Sequence, residues 1–348
     1  MADSETMASR GGVPPTLDDV AREAGVSLAT ASRVLNGSTR KVAESYRARV
    51  EDAARRMGYT ANLSAQATAR GTSAIIALLV ADIADPYFGK IAAGVARGAD
   101  EAGLVVTIAT TERDLDRELA VIRALRGQRP RAVILAASRT TASNDVELQA
   151  EIDALGHVGS RVVAIGPGGG AVRFVAIDNR GGARQLGAAL ADRGYRRALV
   201  LGAAEGVRTS DDRIAGFSEG FGSGGGRIER IYRGSFTRES GQQLIEDALR
   251  DGIEPGTVVF GISDVVALGT LSVLRAHGRE VGPDIALAGF DDIPSAGDVT
   301  PGLTTVRVPL ETVGYRTLHA ALDDQWAPAA APVPVEVIIR GSTPERTP

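Results

Sequence analysis

The sequence predicts two kinds of structure in one chain: an all-α helix-turn-helix headpiece, followed by an α/β body of two doubly wound parallel-sheet lobes. Three observations support this. Residues 16–57 place apolar side chains at helical spacing. From Ser73 onward, short apolar runs alternate with amphipathic helical stretches, as they do in parallel sheets. The alternation starts again near Phe174, so the body divides into two halves of similar size.

The composition is that of an ordinary globular protein. Its 348 residues suggest two or three domains, and 44% hydrophobic with 24% charged residues can form large cores. The chain has no cysteine, which excludes disulfides and cysteine metal sites, and its three histidines are widely separated. We therefore expect no metal site, no cofactor and no redox chemistry.

Charge is distributed unevenly along the chain. The formal net charge is −4, but residues 16–71 contain nine Lys or Arg against six Asp or Glu. A basic N-terminal unit on an acidic body suits a DNA-binding module attached to a domain that stays off DNA.

The first fifteen residues contain no apolar core of the kind a secretory signal needs, and we expect a flexible tail. No apolar run approaches the length of a membrane span, since Ile75–Ala81 is short enough to be a buried strand. The sequence therefore predicts a cytoplasmic protein.

The first two predicted helices form the helix-turn-helix. Thr16 can act as the N-cap, with Asp19 at the third helical position of a capping box. Gly25 suits a left-handed C-cap and Ser27 can cap the second helix. The buried faces are expected to carry Leu17, Val20, Ala21 and Ala24 on the first helix and Ala31, Val34 and Leu35 on the second.

The opposite side of the second helix carries polar and small residues that could read DNA. A recognition helix contacts base edges with its N-terminal residues, so Leu28 or Ala29 could touch a thymine methyl group and Arg33 could donate two hydrogen bonds to guanine. A third helix near residues 44–57 supplies the missing apolar partner through Val50, Ala54 and Met57. Any amphipathic helix pair could show a similar pattern, so spacing alone leaves the function open.

The amino-acid sequence of this stretch resembles the headpiece of the LacI/GalR family of bacterial transcription regulators. The resemblance is carried by two runs in order, DVAREAGVSLATASRVLNG and RVEDAARRMGYTAN, and continues to about Ser342. It implies a regulator that binds operator DNA as a homodimer, by default as a repressor. The positions expected at the DNA are Thr16, Ser27, Leu28, Ala29, Thr30, Ser32, Arg33, Asn36, Tyr59, Asn62 and Thr68.

By the same resemblance, residues 62–72 form a hinge helix that inserts a leucine into the minor groove. Here Thr68 stands where that leucine is expected, and Ala61 replaces the usual proline. Threonine is smaller and polar, so we expect a weaker wedge and less bending of the DNA. An ordinary flexible linker is the alternative.

The body is similar to the periplasmic-binding-protein fold that the family uses as its effector-binding and dimerisation domain. The expected domains are a tail at 1–15, a DNA-binding domain at 16–61, a hinge at 62–72 and an effector domain at 73–342. By resemblance the chain crosses between lobes near Pro167, Pro294 and Gln325. Lobe one is then residues 73–167 and 295–325, and lobe two is residues 168–294 and 326–342.

Ligands bind beyond the carboxyl ends of the strands in such sheets, and polar or aromatic residues follow several predicted strands. Arg213, Phe236, Asp264 and Asp291 match positions that contact effectors across the family. A guanidinium and carboxylates can share sugar hydroxyls, and an aromatic face can stack on a sugar or a purine. The residues expected in the effector site are Asp82, Tyr87, Phe88, Ser138, Arg213, Phe236, Asp264 and Asp291.

The effector itself stays open at this stage. A sugar or sugar derivative is expected, and the alternative is a purine-type or other small-ligand corepressor. Ser263 replaces the asparagine that usually precedes the aspartate in the family, so the family resemblance does not fix the ligand. An enzyme on a doubly wound fold would need a catalytic constellation that the sequence does not show. A pure solute-binding protein would not carry residues 16–57.

Overall fold

The computed structural model describes residues 14–35, 42–60, 73–137, 146–166, 172–329 and 331–346. The chain forms two compact units, residues 1–73 and residues 74–348. Asn36, Asn62, Thr68 and Ser138 lie outside the described residues, so the roles expected for them stay predictions.

The first unit contains the three predicted helices: α1 (Leu17–Ala24), α2 (Leu28–Leu35) and α3 (Glu44–Met57). The capping box at Thr16 and Asp19 is present, and Gly25 ends α1 in the left-handed region with φ 61°. A residue with a Cβ atom is strained at such an angle, which explains the glycine in the turn. The predicted apolar faces meet in one core, formed by Val20, Ala21, Ala24, Ala31, Val34, Val50, Ala53 and Ala54.

The second unit alternates strands and helices. Its elements are β1 (Ile75–Val80), α4 (Pro86–Glu101), β2 (Val105–Thr110), α5 (Leu115–Gln128), β3 (Ala132–Leu135), α6 (Val146–His157), β4 (Arg161–Ile165), β5 (Arg173–Val175), α7 (Asn179–Asp192), β6 (Arg197–Ala203), α8 (Arg208–Ser223), β7 (Arg227–Gly234), α9 (Arg238–Asp251), β8 (Val258–Gly261), α10 (Asp264–Ala276), β9 (Ala286–Ala288), α11 (Pro294–Asp298), β10 (Thr305–Arg307), α12 (Leu310–Leu322) and β11 (Glu336–Ile338).

Nine of these strands form two parallel sheets, as the sequence predicts, and β10 and β11 form a separate two-stranded antiparallel sheet. The first has the order β2-β1-β3-β4-β5 and the second the order β7-β6-β8-β9. In β1, Ile76 and Leu78 join one core cluster while Ala77 and Leu79 join another, so both faces of the strand are covered. A strand buried on both faces reads as a continuous apolar run, which is why its bounds could be read from the sequence.

The expected lobe boundaries need two corrections. β5 pairs with β4 in the first sheet, so the chain leaves the first lobe after Val175 rather than near Pro167. Thr304 and Arg307 bridge to Ala288 and Asp291 beside β9, so residues 304–307 stay with the second sheet and the return crossing follows Arg307 rather than Pro294.

The final crossing follows α12, near the expected position. α12 packs against α4 in the first lobe, and β11 then pairs antiparallel with β10 in the second. Both misplaced boundaries involve strands of three residues, and which sheet each one joins depends on hydrogen bonds to partners elsewhere in the chain.

Candidate functional site

In the first unit, α2 presents an exposed surface. Leu28 is 49% exposed although it is a large apolar residue, and Ala29 and Arg33 are exposed beside it. Their neighbours Ala31 and Val34 are buried, so one face of α2 is fixed to the core while the other is free to enter a groove. No hydrogen bond or ion pair is found for the Arg33 side chain among the described residues, and its guanidinium has its donors available.

The other predicted DNA residues in this unit take two roles. The Thr16 side chain accepts the amide of Asp19, and Ser27 accepts the amide of Thr30, so both hydroxyls cap helices. Thr30 and Ser32 are half-buried on α2. Tyr59 packs against the three-helix core. These placements position the recognition surface, and direct contact with DNA stays a prediction for all of them.

The second unit has a cavity between its two lobes. The first lobe contributes Asp85, Tyr87, Phe88, Arg113 and Ala136, and the second contributes Thr209, Phe236, Ser263 and Asp291. Each of these residues follows a strand of one of the two parallel sheets, so the cavity lies where the carboxyl ends of both sheets meet. Its volume is about 30 Å³, which is room for one or two waters.

Four of the eight predicted effector residues line this cavity: Tyr87, Phe88, Phe236 and Asp291. Asp82 lies outside the lining on an exposed loop, where its carboxylate accepts the amide of Ala84 at 2.8 Å. Arg213 and Asp264 are buried and do not line the cavity, and direct contact of either residue with an effector stays a prediction.

Arg213 is 1% exposed and every part of its guanidinium is engaged. It donates to Asn179 Oδ1 at 2.9 Å, to the Ile262 carbonyl at 2.7 Å and to Asp291 Oδ1 at 2.8 Å. The Phe290 ring covers it, with the guanidinium carbon 3.8 Å from the ring centroid. These contacts hold the Asp291 carboxylate in place, so Arg213 acts on the cavity through Asp291.

Asp264 supports the neighbouring loop. Its carboxylate accepts the Thr305 hydroxyl at 2.6 Å and the Ile293 amide at 2.9 Å. Burial, together with the charge of Asp291, raises the pKa of Asp264 well above its usual value. Its side chain therefore fixes the segment that carries Asp291 and leads into β10.

Burial also perturbs the carboxylates that reach the cavity. It raises the pKa of Asp291 to about 6, although the Arg213 guanidinium opposes the shift. It raises the pKa of Asp85 as well, although the hydrogen bond from the Tyr87 amide opposes that shift. Perturbed acids gathered in one cleft are typical of a functional site.

The backbone around the cavity is strained at two strand ends. Glu112 and Arg113 follow β2 with φ 54° and 57°, and Asp291 and Asp292 follow β9 with φ 112° and 54°. Residues other than glycine rarely adopt these angles, and such strain is concentrated at functional sites. Each pair directs one charged side chain, Arg113 or Asp291, into the cavity lining.

The predicted effector residues did not include five residues of the lining: Asp85, Arg113, Ala136, Thr209 and Ser263. Asp85 precedes Pro86 and caps α4, a signal that by itself indicates a helix start. Arg113 follows the carboxyl end of β2, and this position is the sequence signal for it. No group of three or more metal-ligating side chains occurs among the described residues. In that same part of the chain, no helix is both long and apolar enough to span a membrane.

A helix-turn-helix unit followed by two parallel-sheet lobes around a cavity defines a DNA-binding transcriptional regulator with a periplasmic-binding-protein-like domain. Two family models match: "Bacterial regulatory proteins, lacI family" over residues 16–62 and "Periplasmic binding protein-like domain" over residues 188–343. The chain is 30% identical over 329 residues to the HTH-type transcriptional regulator CelR of Thermobifida fusca, covering 92% of this chain and 94% of CelR. This chain belongs to the LacI family of bacterial transcriptional regulators.

Solved structures agree with this fold. A structure of the lac repressor dimer bound to operator and the anti-inducer ONPF superimposes with a TM-score of 0.82 at 24% identity, over 95% of this chain and all of that chain. A complex of the transcriptional regulator CelR with cellobiose superimposes with a TM-score of 0.68 at 29% identity, over 94% of this chain and 99% of that one. The family relatives are regulators and not enzymes.

Proposed function

We propose that this regulator is a sequence-specific repressor that acts as a homodimer and is controlled by a sugar or sugar derivative bound in the interlobe cavity. The observation that carries the proposal is the cavity itself, because residues from both lobes line it. A ligand there touches both lobes at once and favours one of their arrangements by its differential contacts. Binding to chromosomal DNA implies a cytoplasmic location.

The exposed side of α2 supports the DNA-binding part of the proposal. Leu28 and Ala29 stand at the start of the helix, where recognition helices meet base edges, and Arg33 follows one turn later. An exposed leucine costs free energy in water, and contact with a thymine methyl group would remove it from water.

The cavity lining supports a sugar ligand. Asp291 offers carboxylate oxygens to hydroxyl groups, and Phe236 offers an aromatic face to the apolar side of a sugar ring. The CelR neighbour was solved with cellobiose. A cavity of about 30 Å³ is too small for a hexose, so the lobes must separate to admit one.

Two edge strands support the dimer. Within the described sheets, β2 and β7 each have a neighbour on one side only. Val105 and Ile108 on β2 are 51% and 44% exposed, and Ile231 on β7 is 38% exposed. Exposed apolar edge strands favour pairing with another chain, and the lac repressor neighbour was solved as a dimer.

Regulation follows from coupling between the interlobe cavity and the DNA-binding surface of α2. Two headpieces of a dimer must meet half-sites about one helical turn apart, so a ligand that changes the relation between lobes changes the fit to DNA. Typical coupling free energies of about 1–3 kcal/mol change affinity roughly 5- to 150-fold.

The proposal is tested by in vitro selection from random duplex DNA, followed by fluorescence polarisation with the selected site. We expect a roughly palindromic sequence to be enriched, and sugars that raise the melting temperature to change its affinity. Failure to enrich any sequence would contradict the repressor proposal. A panel in which only purines raise the melting temperature would replace the sugar by a purine-type effector.

A further inference from the structure

Arg113 occupies an unusual position at the mouth of the cleft. It has φ 57° next to Glu112 at φ 54°, a left-handed conformation that residues other than glycine rarely adopt. The surrounding loop is fixed by its other residues. Glu112 pairs with Arg117 at 2.7 Å, the Glu112 amide donates to the Ala81 carbonyl, and Arg117 Nε donates to the Thr110 carbonyl at 3.0 Å. The loop thereby aims the Arg113 side chain away from itself and towards the second lobe.

The Arg113 guanidinium rests on an aromatic face. Its carbon lies 5.1 Å from the centroid of the Phe236 ring, across the cleft. Among the described residues no hydrogen bond or ion pair of this guanidinium is found, so its five N–H donors are available to a ligand. In contrast, each nitrogen of the Arg213 guanidinium donates a hydrogen bond to a residue of the second lobe.

The two carboxylates in the lining do not neutralise Arg113 by contact. Asp291 is held by Arg213 through both of its oxygens, at 2.8 and 3.4 Å. Asp85 caps α4 by accepting the Tyr87 amide at 2.9 Å, and its charge acts on Arg113 only through space. Three helices also begin beside the cavity: α4 after Asp85, α8 at Arg208 and α10 after Ser263. Each helix start adds partial positive charge.

We propose that the effector is an acidic sugar, bearing a carboxylate or a phosphate, and that Arg113 is the residue that selects it. The inference rests on the proposed function of the cleft as a sugar site. A planar guanidinium donates two parallel hydrogen bonds to either anionic group, while the Phe236 face and Asp291 remain for the ring and its hydroxyls. When the lobes part to admit the sugar, Arg113 exchanges its contact with Phe236 for the anion.

The test uses the full chain and pairs of sugars that differ in charge. Binding of galactose is compared with galacturonate, and glucose with glucuronate and with glucose 6-phosphate, by calorimetry and thermal shift. We expect the acidic member of at least one pair to bind tenfold or more tightly than its neutral counterpart. The carboxylate and phosphate arms show which anion the site takes.

Arg113→Gly should remove that preference while keeping the weak binding of neutral sugars. The glycine also relieves the left-handed strain, so this variant is not expected to unfold. Arg129→Gly is the matched control, because Arg129 is an exposed arginine with φ 48° that does not line the cavity. Arg129→Gly should keep the wild-type preference, and Arg113→Lys should keep part of it.

Equal or tighter binding of the neutral sugars by the wild type would overturn this inference and leave the sugar effector standing. An acidic preference that survives in Arg113→Gly would also overturn it, since another group would then carry the selection. Binding by none of the sugars would reject both this inference and the sugar effector.

Discussion

Arg33 is the residue on which specific DNA recognition is best tested. It is exposed on α2, on the same side as Leu28 and Ala29, while the adjacent Val34 is buried. Arg33→Ala should weaken binding to the selected site by about 1–3 kcal/mol and relax the preference for one base pair, because a bidentate contact to guanine discriminates by that amount. Polarisation titrations with the site and its single-base variants measure both effects.

A control is provided on the same headpiece by Arg55→Ala, since Arg55 is exposed on α3 and contacts Asp52. That variant should leave the base preference unchanged. If Arg33→Ala lowers affinity equally for every sequence, Arg33 contacts phosphate and the recognition hypothesis for it is wrong.

The raised pKa of Asp291 predicts that the free energy of unfolding depends on pH. Asp291 is buried and its pKa is raised to about 6 in the folded protein, chiefly by burial. The folded state therefore holds this proton more tightly than the unfolded state, where the pKa is about 3.9. The contribution of Asp291 to the free energy of unfolding falls as the pH rises from about 4 to 6 and is constant above that.

Asp291→Asn removes this titration. The free energy of unfolding of the variant, relative to wild type, should increase by about 1–3 kcal/mol between pH 4 and pH 7. Urea titrations at several pH values measure the difference. A relative stability that is flat or falls over this interval would show that the Arg213 ion pair outweighs burial at this carboxylate.

At the scale of secondary-structure elements, glycines allow paired helices to pack at short distances. A methyl group at Gly220 on α8 would overlap the Arg184 carbonyl on α7, and one at Gly94 on α4 would overlap the Glu311 carbonyl on α12. A methyl group at Gly241 on α9 would likewise overlap the Val266 carbonyl on α10. Backbones in these three pairs are therefore in direct contact, which places the helices close enough to cover the sheets.

Gly220→Ala should lower the free energy of unfolding by about 1–3 kcal/mol or more, since overpacking a rigid contact between backbones forces the helices apart. Gly222→Ala is the matched control on the same helix, because a Cβ atom there meets no atom within 4 Å. It should be neutral or slightly stabilising, as alanine favours helix over glycine. Urea unfolding of both variants makes the comparison, and equal stabilities would refute the close-packing argument.

At the scale of the whole molecule, the exposed edge strands predict the oligomeric state. Light scattering at micromolar concentration should give twice the mass of one chain. Val105→Lys combined with Ile231→Lys should shift the protein towards monomer, because two charges would have to be buried at the edges of β2 and β7.

Val146→Lys is the control for this experiment. Val146 is 80% exposed at the start of α6 and does not lie on a sheet edge, so its replacement should leave the dimer intact. A wild-type monomer, or a double variant that remains fully dimeric, would contradict the proposed surface.

The sequence by itself determined the headpiece and most of the strands. In α1, α2 and α3 the caps and the 3.6-residue spacing of apolar side chains are local signals, and all three helices follow them. β1 and β8 could be bounded exactly because strands buried on both faces are continuous apolar runs. The bounds of β2 also matched, although it is an exposed edge strand. The two sequence motifs of the headpiece identified the family, which neither the spacing of apolar residues nor the composition could do.

Only the tertiary structure decided at which residues the chain crosses from one lobe to the other. It also decided which side chains meet in the cleft. β5 and β10 are three-residue strands whose assignment depends on hydrogen bonds to partners elsewhere in the chain. Arg213 and Asp264 are polar residues near strand ends like Asp291, but burial turns them into supports for the loop that carries it. Arg113 and Phe236 are 123 positions apart in sequence and become neighbours only because both sheets direct their carboxyl ends at one cavity.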